Sequence, residues 1–227
     1  MRMKHLNLKA LAGLLVLLAV MAAALFIPVW TLNYWEAWVF LIIFFGSAFT
    51  ITIDLMRKDP KLLERRITVG PTDEKETSQK IIQLVAQFAF LLIIIFPVLD
   101  HRFGWSVVPV YVDIIGDILV AIGFYIVFIV FKENTYASAL IEVGKGQKII
   151  STGPYAWVRH PMYIGALILL LGTPLALGSL WGVFTIIPIT LVIIWRLLDE
   201  ERFLTKNLPG YAEYKNKVGY RLVPFAW

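Results

Sequence analysis

Long uncharged runs dominate the pattern of this chain. From Ala10 to Trp35 there are 26 consecutive residues without a formal charge. A bilayer core about 30 Å thick needs roughly 20 mostly apolar residues in a spanning helix, so this run predicts a first span near Ala10–Trp30. Its basic start and the alanines at 22–24 also resemble a signal peptide. The apolar region of a signal is only about 7–15 residues long, however, which favours a retained helix. Ala37–Ile53 predicts a second span, Ile81–Leu99 a third and Tyr111–Phe131 a fourth. Between Arg159 and Arg196 lie 36 residues with no formal charge, His160 being counted neutral. One helix of that length would run about 54 Å, too long for a single crossing. Gly172, Pro174, Gly178 and Ser179 supply a break. A hairpin of two short spans is expected, near Pro161–Leu177 and Leu180–Leu198. The fold class expected is all-α integral membrane, with about six transmembrane helices.

Charge then orients these spans. The chain of 227 residues is 59% hydrophobic and 16% charged, whereas soluble domains carry about 25% charged residues. That excludes a disordered chain, a nucleic-acid module and an ordinary cytosolic enzyme. Of the 21 Lys and Arg residues, 20 fall in the N-terminal tail, after span two, after span four and after span six. The opposite side holds only Arg102. The positive-inside rule therefore predicts that both termini are cytoplasmic. The eight tryptophans fall at or near span ends or in the tails, as an aromatic belt does. Cysteine is absent, which excludes disulfides and thiolate chemistry. With histidine only at 5, 101 and 160, no metal site is expected. We divide the chain into N-terminal helices, 1–130, with an amphipathic cytoplasmic segment at 57–80, and a catalytic region, 131–227.

Four features could carry chemistry. The first is Gly153-Pro154-Tyr155-Ala156-Trp157-Val158-Arg159-His160-Pro161-Met162-Tyr163-Ile164-Gly165, at the start of span five. Pro161 suits a first helical turn, and Arg, His and two Tyr there read either as interfacial anchors or as an anion or nucleotide site. The second is Arg196-Leu197-Leu198-Asp199-Glu200-Glu201 at the end of span six. Arg196 and Glu200 share a helix face and could simply pair, yet ionisable residues at membrane depth are costly and often functional. The third is Asp113 and Asp117 in the outer half of span four, read as headgroup-solvated or packing residues. The fourth is Asp59-Pro60-Lys61-Leu62-Leu63-Glu64-Arg65-Arg66, a basic amphipathic stretch expected to lie on the anionic inner leaflet.

Taken in order, Gly153-Pro154-Tyr155, Arg159-His160-Pro161-Met162-Tyr163, Glu200-Glu201 with Leu204, and Tyr211-Ala212-Glu213-Tyr214 resemble one superfamily. It is that of the isoprenylcysteine carboxyl methyltransferases and phospholipid methyltransferases. Tyr220-Arg221-Leu222-Val223-Pro224-Phe225 and the Asp59–Arg66 stretch also fit. The resemblance is close over about 130–227 and weaker near 54–70. It implies S-adenosylmethionine bound on the cytosolic side, and a lipid or lipid-modified acceptor arriving sideways from the bilayer. It further implies that Gln147, Lys148, Ile149, Ile150 and Tyr155 hold the adenosine, while His160, Pro161, Met162 and Tyr163 wrap the cofactor. By the same resemblance Glu200 contacts the cofactor, with Glu201 beside it, and Arg196 engages the acceptor's carboxylate. Arg196 and Glu200 are thus the expected catalytic pair. Neither a metal nor a nucleic acid is implied. A carboxylate acceptor needs no general base, whereas an aminophospholipid would need one, such as Glu201 or His160. A sterol-reductase-like enzyme using NADPH shares the architecture, although its motif departs from Arg-His-Pro-x-Tyr. A non-enzymatic membrane binding or transport protein is the remaining class.

Overall fold

A computed structural model describes residues 2–67, 77–144 and 146–227. The middle of the 57–80 segment lies outside the described residues. The helices are α1 (Arg2–Val29), α2 (Trp35–Lys58), α3 (Pro60–Ile67), α4 (Thr77–Phe103), α5 (Val110–Glu133), α6 (Pro161–Ala176), α7 (Ile186–Asn207) and α8 (Tyr211–Lys217). Short 3-10 turns at Gly153–Ala156 and Trp181–Thr185 precede α6 and α7. There is no strand among the described residues.

Among the described residues, five helices are long and apolar enough to cross a bilayer, the last running Trp181–Asn207 when its 3-10 start is included. Their outward sides expose Leu15, Ile42, Phe88, Ile114 and Leu191. Water would not tolerate so much contiguous apolar surface, but lipid does. The molecule is a multi-pass integral membrane protein. The expected hairpin is present with unequal arms. The 16 residues of α6 rise only about 24 Å, short of a full hydrocarbon core. The second arm continues past Leu198 to Asn207, because Asp199, Glu200 and Glu201 prolong the helix beyond its apolar part.

The closest packing is between α5 and α6. Gly123 faces Gly165, and Gly116 faces Gly172, the paired positions being seven apart on each helix. A Cβ on Gly123 would stand 2.6 Å from the Gly165 carbonyl oxygen, and one on Gly172 would stand 2.6 Å from that of Gly116. Small residues at such positions let helix backbones touch in a membrane, where no hydrophobic effect drives association. Asp113 and Asp117 lie inside the bundle, only 2% and 6% exposed. Of the two roles expected for them, headgroup solvation or packing, this burial gives packing, with Asp113 beside the Gly178 turn.

The third helix is packed as well. Asp59 caps it, its Oδ1 accepting the Leu62 N–H at 3.0 Å, with Pro60 at the first helical position. Leu62 and Leu63 are buried against Ala10, Leu55, Met56, Phe131 and Ala137. The apolar side of this stretch is packed on protein. Arg65 and Arg66 then reach over to the segment after α5, donating to the carbonyls of Thr135 and Ser138.

Candidate active site

A cavity of about 560 Å³ opens at the ends of α5, α6 and α7. Its size is that of a site for a cofactor or a drug-sized ligand. Two linings meet in it. One is polar and aromatic: Asn134, Tyr136, Glu142, Gln147, Lys148, Tyr155, Arg159, His160, Tyr163, Glu200, Tyr211 and Tyr214. The other is mostly apolar and enters the bilayer: Ile82, Ala86 and Phe90 on one face of α4, with Val127 of α5 and Ala166 of α6.

The expected residues can be placed against this cavity. Gln147, Lys148, Ile149, Ile150, Tyr155, His160, Met162, Tyr163, Arg196 and Glu200 all line it. Pro161 and Glu201 stand outside its wall. Pro161 is buried at the first position of α6, where it sets the direction of the His160–Tyr163 turn. Glu201 is 4% exposed and works from behind. Its Oε1 lies 2.9 Å from Arg159 Nε and 3.2 Å from His160 Nε2, and its Oε2 accepts from Arg221 Nε at 3.1 Å. The backbone is fixed in the same place, since the N–H groups of Arg159 and His160 donate to the carbonyls of Tyr220 and Arg221. The C-terminal segment is thus a strap across the back of the motif.

At the front, Glu200 accepts from the Tyr163 hydroxyl at 2.7 Å. One turn earlier, Arg196 donates through Nη1 to Gln79 Oε1 at 2.9 Å and through Nη2 to the Ala139 carbonyl at 2.8 Å. Gln79 is 1% exposed and its amide nitrogen donates to Asp199, so a buried amide orients the guanidinium from one side. Tyr155 receives a 2.9 Å hydrogen bond from the Asn134 amide. Burial pushes its hydroxyl up to about 12, so it stays neutral at physiological pH. Gly210 has a φ of 84°, a left-handed value open to glycine. It turns α8 back so that the Tyr214 hydroxyl donates to the Tyr155 carbonyl at 2.8 Å.

Four groups of this site were not assigned roles from the sequence: Arg66, Gln79, Asn134 and the α4 face. For Arg66 a signal did exist. Leu62, Leu63 and Arg66 share a helix face, so an arginine sits in the apolar stripe of α3.

The chain is therefore a membrane protein with a ligand-sized cavity opening from its polar end towards the bilayer. Among known proteins, residues 112–210 match the family model for phospholipid methyltransferase. The chain is 30% identical over 136 residues to a protein-S-isoprenylcysteine O-methyltransferase of Saccharomyces cerevisiae, covering 54% of this chain and 53% of that protein. A protein of the same name from Schizosaccharomyces pombe is 28% identical over 117 residues, 43% of this chain and 48% of the relative. Delta(14)-sterol reductase TM7SF2 of Mus musculus is 31% identical over 90 residues, 38% of this chain and 22% of the relative. The chain thus spans about half the length of the two yeast relatives. The resemblance drawn from the motifs is met by these matches.

Proposed function

We propose that the protein is a membrane methyltransferase that uses S-adenosylmethionine to methylate a lipophilic carboxylate of the isoprenylcysteine type. The observation that carries this reading is the placement of Arg196 and Glu200 one helical turn apart on the wall of a single cavity. Polar and aromatic groups surround one of them, and the α4 face leads away from the other into lipid.

The donor set suits the cofactor. Glu200 offers a carboxylate to an ammonium group, and the rings of Tyr155, Tyr163, Tyr211 and Tyr214 suit both an adenine face and a sulfonium cation. Gln147, Lys148, Ile149 and Ile150 offer a strip for the nucleoside. When bound, the cofactor supplies an electrophilic methyl on a positively charged sulfur. A carboxylate acceptor would take that methyl directly on its oxygen, as an in-line displacement at the C–S bond. No proton moves, so alignment is the main task left to the protein. Arg196 performs it with a planar fork of donors. An amine acceptor would need a base, and Glu201 already holds Arg159, His160 and Arg221. The catalytic region is taken as 131–227, with the cavity on the cytoplasmic side.

Calorimetry on the detergent-solubilised protein tests the cofactor class. S-adenosylhomocysteine should bind and NADPH should not. The reverse result would favour the reductase likeness and end the methyltransferase reading.

A further inference from the structure

Behind the cavity, the strap that holds Glu201 has an outer side of its own. There α7, α8 and the segment after α8 border a second groove, of about 530 Å³. Four cationic side chains line it: Arg202 and Lys206 of α7, Lys215 of α8, and Arg221. Among the described residues its one carboxylate is Glu201. Both oxygens of Glu201 are already occupied, Oε1 by Arg159 and His160 and Oε2 by Arg221. Lys215 donates to the neutral Thr205 hydroxyl at 3.2 Å. Among the described residues, no carboxylate lies within ion-pair distance of Arg202, Lys206 or Lys215. Three positive charges therefore border one groove whose carboxylate serves other partners.

The second observation is where this groove sits. Leu191, Trp195, Leu198, Arg202 and Lys206 follow one another at steps of three and four, so they share one face of α7. Leu191 and Trp195 are exposed on that face, as lipid-facing residues are. The same face thus turns from apolar to cationic without a break. Arg202 stands four residues past Leu198, where the apolar run ends, about 6 Å along the axis. The headgroup layer adds roughly 5–8 Å to each side of the hydrocarbon core, so Arg202 comes level with lipid phosphates. The turn after Arg221 carries Val223 and Phe225, both exposed, as apolar tips of the kind a membrane interface takes up. Arg221 ties that turn to the groove, its guanidinium carbon lying 5.1 Å from the centre of the Trp227 ring.

We propose that this groove binds the phosphate of an anionic lipid in the leaflet at the cavity's end of the molecule, with Arg202, Lys206 and Lys215 as its donors. Arginine meets a phosphate with a planar fork and lysine meets it as a point charge. The anionic leaflet is the cytoplasmic one, where the division of basic residues leads us to expect this end of the chain. The site needs neither the cofactor nor the acceptor of the reaction proposed above, and it lies outside the cavity that would hold them. Because Arg221 belongs to both the groove and the Glu201 clamp, the lipid steadies the segment that holds the Arg159–His160 turn.

The test uses the full chain in a nonionic detergent, with Tm read by tryptophan fluorescence. A ligand that binds only the folded state raises Tm. Dioleoylphosphatidylglycerol added to the micelles should raise Tm by several degrees and saturate, whereas dioleoylphosphatidylcholine should not. An equal rise with phosphatidylcholine would overturn the site. Inorganic phosphate at millimolar concentration should leave Tm unchanged. A rise matching that with phosphatidylglycerol would assign the groove to a free anion and overturn the lipid as its occupant. The double variant Arg202→Gln/Lys206→Gln should keep the lipid-free Tm and lose most of the shift. Lys4→Gln/Lys61→Gln removes the same charge from exposed positions elsewhere and should keep the whole shift. A wild-type shift in Arg202→Gln/Lys206→Gln would overturn the proposal. Equal losses in the two double variants would overturn it too, since the attraction would then be to net charge alone. If Arg202→Gln/Lys206→Gln does not fold, Lys206→Gln carries the comparison: a reduced shift is expected, and an unchanged one overturns the proposal.

Discussion

Glu200 and Glu201 are chain neighbours of the same type, and the helix sends them to opposite duties. A step of about 100° along α7 puts Glu200 on the cavity wall and Glu201 behind it, among Arg159, His160 and Arg221. Their substitutions should therefore separate. Glu201→Ala would leave buried cations uncompensated and should destabilise the fold by about 3–5 kcal/mol, seen as a large drop in Tm in detergent. Glu200→Ala should leave Tm nearly unchanged and weaken S-adenosylhomocysteine about ten- to a hundredfold by calorimetry. A normal affinity in folded Glu200→Ala would move that residue to a structural role. Arg196 gives a third pattern. Arg196→Lys keeps the charge but loses the fork that spans Gln79 and Ala139. Turnover should collapse while cofactor affinity stays within a few-fold.

The α5–α6 pair shows most clearly what a linear reading can and cannot see. Uncharged run length and the break after Leu171 were enough to expect a helical hairpin and about six spans. The glycines at 116, 123, 165 and 172 were legible only as residues, because their function depends on which helices meet, and hydropathy does not record partners. For the same reason the sequence leaves Asp113 and Asp117 open between headgroup solvation and packing, and does not reveal that the apolar stripe of α3 packs on protein. The site followed the same division. Residues within the Arg159–Tyr163 and Arg196–Glu201 blocks could be placed by spacing and resemblance, whereas Arg66 and Gln79 join the site only through tertiary packing. The glycine contact can be tested directly. A Cβ on Gly123 would meet backbone oxygen at 2.6 Å, while one on Gly46 would meet nothing within 4 Å. Gly123→Ala should cost about 1–3 kcal/mol as overpacking and lower Tm, and Gly46→Ala should not lower it.

For the molecule as a whole, orientation in the membrane decides which compartment the cavity faces. The 20-to-1 division of basic residues leads to the expectation that reporters fused after residue 70 and at residue 227 both read cytoplasm. An external signal at either would place the cavity on the wrong side for a cytosolic cofactor. The strap formed by Tyr220 and Arg221 also sets an order of events during synthesis. Arg159 and His160 receive their backbone partners from Tyr220 and Arg221, and Glu201 receives one of its cations from Arg221. The six long helices among the described residues, α1, α2, α4, α5, α6 and α7, all precede Tyr220 in the chain. The long helices are therefore made first, and the Arg159–His160 turn gains its backbone partners only when Tyr220 and Arg221 follow. A nascent chain stalled before Tyr220 would lack both of these backbone partners, so the order of synthesis times when the Arg159–His160 turn can be held.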